Sequence, residues 1–151
     1  MTAKINSENR NKKRKIDLSK INRIAKAALR EIGRSGAEVN IVFISNRKIR
    51  ALNRAYFGID SSTDVISFPA GEDEYARGAF KNKDFLGDIA ISSDKAAQNA
   101  RAYKTAFGEE IALYVIHGIL HLAGFRDGTK KERSRMREKE DEIFQKVRRH
   151  V

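Results

Sequence analysis

Cysteine and tryptophan are absent from the 151 residues, and the single proline is Pro69. Without cysteine the chain forms no disulfide and no thiolate metal site, a composition that fits a cytosolic protein. Long apolar runs are missing as well. No stretch could span a bilayer, and the basic N-terminus carries no apolar segment of the kind a secretory signal needs. A soluble, cytoplasmic protein with no membrane partner is the expectation. No internal repeat or low-complexity linker divides the chain, and 40% hydrophobic content over 151 residues suffices for one domain, 1–151, with a sizeable core.

Acidic residues are also in deficit. Lysine and arginine number 31 against 20 aspartates and glutamates, a formal net charge of +11. The excess is uneven: residues 1–34 hold eleven basic and three acidic side chains, which is +8 of the total. Its densest run is Lys12, Lys13, Arg14 and Lys15, within a basic N-terminal arm over residues 1–15 that is expected to be flexible. Such a segment attracts polyanions, RNA being the obvious one; the competing role is a solvated tail that aids solubility. No aromatic RNP-type motif is present, so RNA recognition is expected through backbone and shape rather than stacked bases.

Periodicity places the elements. A short first strand falls near residues 4–6. Asp17 or Ser19 caps a helix whose apolar positions Ile21, Ile24, Ala25, Ala28, Leu29 and Ile32 follow the 3.6 period, and Gly33 ends it. Residues 39–44 read as a strand. Ser45 then caps a helix with Ile49, Leu52 and Tyr56 on its apolar side, stopping near Gly58. Two strands over 65–68 and 85–91 form a hairpin across a polar, exposed loop at 70–84. Ser92 or Ser93 caps a helix running to Tyr103, with Ala96, Ala97 and Ala100 on its close-packed side. Thr105 or Gly108 opens a helix over 111–123 that is apolar nearly all round and therefore central. Thr129 and Glu132 make a capping box for a last helix, with Met136, Ile143, Phe144 and Val147 on its apolar side. The order predicts an α+β fold: a small mixed sheet with about five helices packed on it.

Histidine is scarce too, at three residues, and two of them fall inside the central helix. His117 and His121 stand at i and i+4, one above the other on one helix face. From there both imidazoles can reach one ion at about 2.0–2.1 Å. Gly124 reads as the residue that closes the helix, and the reversed chain could bring Asp127 back as a third ligand. Three ligands leave zinc an open position for water, the arrangement of a catalytic site. The plainer alternative is a pair of hydrogen-bonded core histidines. Burial among Ile116, Ile119, Leu120 and Leu122 favours a metal, because four imidazole nitrogens must find partners. Gly118 stands where H-E-x-x-H peptidases carry their glutamate base, so proteolysis is disfavoured.

The run from His117 to Asp127, HGILHLAGFRD, resembles the H-G-x-L-H-L-x-G-Y-D-H signature of the YbeY family of metal-dependent endoribonucleases that act in ribosomal RNA maturation. Leu52-Asn53-Arg54-Ala55-Tyr56 is similar to that family's L-N-x-x-Y segment. Ser62-Thr63-Asp64-Val65-Ile66-Ser67-Phe68-Pro69 is similar to P-T-D-V-L-S-F-P, and Leu86-Gly87-Asp88-Ile89-Ala90-Ile91-Ser92 to L-G-D-I-x-I-S. The resemblance covers roughly residues 38–145 in order, and several segments together are far more specific than one. It implies an α+β fold with the metal helix central. Two departures stand out: Asp127 replaces the family's third histidine, and Phe57 replaces the arginine that usually follows the tyrosine. Arg54, one turn earlier, is the candidate to serve in that arginine's place.

The resulting expectation is a zinc-dependent, single-strand-specific endoribonuclease acting in ribosomal RNA processing. His117, His121 and Asp127 would form the catalytic metal site, and Lys12, Lys13, Arg14, Lys15 and Arg54 would contact RNA. The alternative is a ribosome-associated RNA-binding metalloprotein that cleaves nothing; a small-molecule hydrolase would leave the basic arm without a purpose. Asp127 is either a direct ligand or a partner that hydrogen-bonds a ligand histidine. Asp64 and Asp88 are expected to be structural, and Thr63 and Ser67 meet substrate only by family analogy. Arg126 is expected to face solvent. His150, in the basic terminus, is not counted as a ligand.

Overall fold

The computed structural model describes residues 2–70 and 84–150. Strand β1 (Lys4–Asn9) runs three residues beyond the segment expected and draws the N-terminal arm into the sheet. It pairs in parallel with β2 (Glu38–Ile44), Lys4 opposite Glu38 and Asn9 opposite Phe43. Helix α1 (Leu18–Glu31) makes the crossover between them. The Asp17 side chain caps it by accepting from the Lys20 amide, and Ile21, Ile24, Ala25, Ala28 and Leu29 form its buried stripe.

Helix α2 (Asn46–Phe57) starts on the Ser45 hydroxyl, which accepts from the Lys48 amide, and ends at Gly58. Strands β3 (Val65–Pro69) and β4 (Phe85–Ser92) form the expected antiparallel pair; of the loop read between them, residues 71–83 lie outside the described residues. Helix α3 (Ser93–Tyr103) is capped by Ser92. It is followed by α4 (Phe107–Leu122) and α5 (Lys130–Val147), and the capping box of Thr129 with Glu132 is formed on both sides. The sheet order is β1-β2-β4-β3, with β2 and β4 parallel and β3 the antiparallel edge. Among the described residues this is the α+β arrangement of a mixed sheet and five α-helices.

The two faces of the sheet are unequal. Val39, Ile41, Phe43, Ile89 and Ile91 point into the main core with α1, α4 and α5. On the opposite face Ile44, Ile66 and Ala90 meet Ile49 of α2 in a second, smaller core, with Leu52 and Phe68 at its margin. Helix α4 is central, as its composition demands: Ile116, Ile119 and Leu120 are fully buried, each contributing about 1.5–3 kcal/mol.

Three expectations need correction. Helix α4 begins at Phe107, not Ile111, with Gly108 inside it. Ala106 takes the cap position, the Thr105 hydroxyl instead donates to Glu110 at 2.7 Å, and Glu109 and Glu110 favour the positive end of the helix dipole. Tyr56 is not a core residue but 66% exposed, because it lies in the last turn of α2 and leans over Phe68. Finally, the N-terminal segment is held by specific bonds. The buried Asn11 side chain donates to Ser93 Oγ at 2.8 Å and to Asp94 Oδ1 at 2.9 Å. Arg14 Nε donates to the same carboxylate at 3.3 Å, and the Asn46 amide to its other oxygen at 3.0 Å.

Candidate metal centre

The site is built at the C-terminal end of α4. Gly118 lies flat against the sheet: a Cβ there would stand 2.7 Å from Ile89 Cγ2, and its carbonyl accepts from the Ser67 hydroxyl at 3.1 Å. Pressing this glycine onto β3 and β4 leaves His117 and His121 on the side of the helix toward α5. Their rings meet edge to face, centroids 4.6 Å apart, with the two Nε2 atoms at 3.0 Å.

The chain then turns back through Gly124, at φ +100, a conformation that glycine tolerates best. The Phe125 amide donates to the Leu120 carbonyl at 3.0 Å and the Gly124 amide to that of His121 at 3.1 Å, the paired bonds of a Schellman motif. Phe125 packs on the core while Arg126 faces solvent. Asp127 thereby returns to His121, its Oδ2 3.3 Å from His121 Nε2. Arg133 Nη1 donates to the Asp127 carbonyl at 3.3 Å, tying the turn to α5. One ligand atom from each of His117, His121 and Asp127 lies within 4.8 Å of the others, so the group could hold a metal ion. Both histidines are about one quarter to one third exposed and Asp127 about half, so the site opens to solvent on the carboxylate side.

Glu140 of α5 was not foreseen. Its carboxylate hydrogen-bonds His117 Nδ1 and leaves Nε2 turned toward His121 and Asp127. A signal was available: Met136, Glu140, Ile143 and Val147 follow i, i+4, i+7, i+11, which sets an acid within the buried stripe of α5. Burial disfavours the charged form of His117, but the Glu140 hydrogen bond, with the negative charges of Glu140, Asp64 and Asp127, outweighs it and leaves the imidazole above its ordinary pKa.

Asp64 caps the start of β3: its Oδ1 accepts from the Val65 amide at 2.8 Å and from the Thr63 hydroxyl at 3.3 Å. Asp88 accepts from Asn40 Nδ2 at 2.9 Å. Ser67 serves the α4 contact described above. The side chain of His150 lies outside the described residues.

The basic run is placed elsewhere. Lys13, Arg14 and Lys15 line a shallow groove with Arg101 and Phe107, and Lys12 is exposed in the same turn. Phe107 opens α4, ten residues before His117. At 1.5 Å per residue the groove and the histidines are therefore about 15–20 Å apart along that helix. Arg54 is exposed on α2, on the other side of the sheet.

A family model described as Endoribonuclease YbeY matches residues 6–148. The chain belongs to this family. Endoribonucleases hydrolyse phosphodiester bonds of RNA, so the resemblance seen in the motifs extends over almost the whole sequence. The Endoribonuclease YbeY of Geobacillus kaustophilus is 41% identical over 124 residues, covering 80% of each chain. That of Caldanaerobacter subterraneus subsp. tengcongensis is 40% identical over 116 residues, 73% of each, and that of Syntrophus aciditrophicus 34% identical over 95% of this chain and 89% of its own. The solution structure of TM1509 from Thermotoga maritima aligns with a TM-score of 0.59 at 27% identity, covering 97% of this chain and 92% of that one. Among the described residues no helix is long and apolar enough to cross a membrane.

Proposed function

We propose that this member of the YbeY family is a zinc-dependent endoribonuclease that cleaves single-stranded RNA during ribosomal RNA maturation in the cytoplasm, with His117, His121 and Asp127 as its catalytic metal ligands. The observation that carries the reading is the convergence of two imidazole nitrogens 3.0 Å apart and a carboxylate oxygen 3.3 Å from one of them. Two neutral imidazoles facing each other nitrogen to nitrogen need either a shared proton or a shared ion between them. Two nitrogens and one oxygen suit zinc, and three protein ligands leave it an open position.

The pairing of Glu140 with His117 Nδ1 fits the same reading, since a carboxylate behind a ligand histidine fixes its tautomer and raises its basicity. An ion held by His117, His121 and Asp127 would supply Lewis acidity, to activate a water and polarise a phosphoryl oxygen. The protein's own part is to orient: the Gly124 turn sets the carboxylate, α5 sets the His117 ring, and the Ser67 contact seats the helix on the sheet. Asp127 in place of a third histidine would offset one unit of a bound ion's charge and so make the site less acidifying than three neutral ligands would.

Purified protein is expected to carry close to one zinc ion per chain and to cut single-stranded ribosomal RNA only when loaded. His117→Ala and His121→Ala should lose both metal and cleavage. Zinc-loaded protein that binds RNA but leaves it intact would establish the binding-only alternative. A chain that takes up no zinc on titration would end the metal reading.

A further inference from the structure

Helix α2 has a surface that the metal centre does not use. Arg47, Arg50, Arg54 and Phe57 follow i, i+3, i+7, i+10 and so share one side of the helix, and α2 contains no acidic residue. Arg47 and Arg54 are exposed, while Arg50 is paired with Asp60 at 2.8 Å. At the end of this stripe three rings gather. Phe57 stacks on Phe68 with centroids 6.1 Å apart and planes 24° from parallel, and Tyr56 meets the same ring edge-on at 5.2 Å. Phe68 is anchored in the small core under α2, but Tyr56 is 66%, Phe57 52% and the adjacent Ile59 52% exposed. Two aromatic rings are thus fixed by a third and left open to solvent.

We infer that this platform is a base-stacking subsite for single-stranded RNA, with the α2 arginines following the backbone. A polyanion with flat apolar bases is the partner that answers both halves of the surface, a cationic stripe and exposed π faces. Its position suits the nuclease reading on which it rests. Ser67 and Phe68 are neighbours on the edge strand β3, one hydrogen-bonded to the Gly118 carbonyl beside His117, the other carrying the platform. Successive strand residues point to opposite faces, so the platform lies on one face of the edge strand and α4, which carries the metal centre, packs on the other. Phe57 also occupies the position where the family's motif usually has arginine, so a flat ring stands in the place of a guanidinium. The absence of an RNP motif concealed this, because the rings come from a helix and a strand that are distant in sequence.

The test is equilibrium binding by fluorescence anisotropy, using full-length protein and a 2′-O-methyl oligonucleotide that cannot be cleaved, alongside the same backbone made abasic. Tyr56→Leu and Phe57→Leu should each bind the base-containing strand about 5- to 150-fold more weakly, the range for one base–aromatic stack. They should leave the abasic strand and the salt slope unchanged, whereas Arg47→Gln with Arg54→Gln should lower the slope. Circular dichroism melts would confirm that the exposed substitutions leave the fold intact. Equal affinity of the leucine variants and wild type, or equal wild-type affinity for the two strands, would overturn the subsite and leave the rings to a protein partner. No binding to either strand would instead overturn the nuclease reading itself.

Discussion

Replacing Glu140 by glutamine isolates one element of the metal centre. The amide oxygen can still accept from His117 Nδ1, so the ring keeps its place and tautomer and only the negative charge is withdrawn. Both partners are well shielded, with Glu140 18% and His117 30% exposed, so solvent screening removes little of the effect. A hydrogen bond to a charged group contributes about 1.5–3 kcal/mol. Loss of a partner behind a metal ligand weakens affinity about 10- to 100-fold, or about 1.4–2.8 kcal/mol. The two scales agree, so Glu140→Gln should weaken zinc binding about tenfold, and Glu140→Ala, which frees the ring, closer to a hundredfold. Chelator competition at neutral pH reads both. The reasoning fails if Glu140→Gln holds zinc as tightly as wild type while His117→Ala does not bind it, because α5 would then have no part in setting the ligand.

Four further outcomes follow from the same geometry. Asp127→Ala should weaken zinc strongly in the same competition and Asp127→His restore it; wild-type affinity in Asp127→Ala would show that the carboxylate only hydrogen-bonds a ligand. Gly118→Ala forces a methyl against Ile89 and should cost about 1–3 kcal/mol by urea denaturation, with loss of metal as α4 is pushed off the sheet; an unchanged midpoint would refute the close packing. Burial raises the Asp94 pKa, but the Asn46 amide, Asn11 and Arg14 outweigh it and hold it below the ordinary aspartate value, so its stabilisation is present above that ordinary value and lost as pH falls through the lower folded-state one. Asp94→Asn should therefore be less stable than wild type at pH 7 by about 1–3 kcal/mol, with the gap closing in acid; a gap that stays the same as the carboxylates are protonated argues against the linkage. Neutralising Lys12, Lys13 and Lys15 together with glutamine should lower the salt slope of RNA binding by about 2, at about 0.7 per phosphate contact, and an unaltered slope would make the turn a solvated one.

Legibility tracked how local each signal was. Helix starts and stops were readable because a cap acts over three or four residues: Asp17, Ser45, Ser92 and the Thr129–Glu132 box all bind the amides expected of them. The histidine pair and the Gly124 turn were readable for the same reason. Strand β1 extends past what its sequence signals because only Ile5 is apolar within it, its placement coming from pairing with β2. The start of α4 is hidden in the sequence because Gly108 and Thr105 look like boundaries, while Glu110 accepts from Thr105 and, with Glu109, lies at the positive end of the helix dipole. Glu140 and the ring platform were missed because each depends on elements brought together from distant sequence: α4 with α5, and α2 with β3. Tyr56 obeys the helical period and yet is exposed, since periodicity says which way a side chain points and not whether anything lies there.

The clamp on the N-terminal segment bears on how the chain folds as it is made. Asn11 and Arg14 find their partner in Asp94, which is synthesised 83 and 80 residues later. At about 5–20 residues per second, the most basic part of the chain spends about 4–17 s without the contact that fixes it. Strand β2 likewise gains its second neighbour only when β4 has been made. Closing loops of this length comes before any reward from the contacts, so the sheet is assembled late and cooperatively around β4. Refolding monitored by Asp94→Asn should accordingly show faster unfolding with little change in the folding rate, the signature of a contact formed after the transition state.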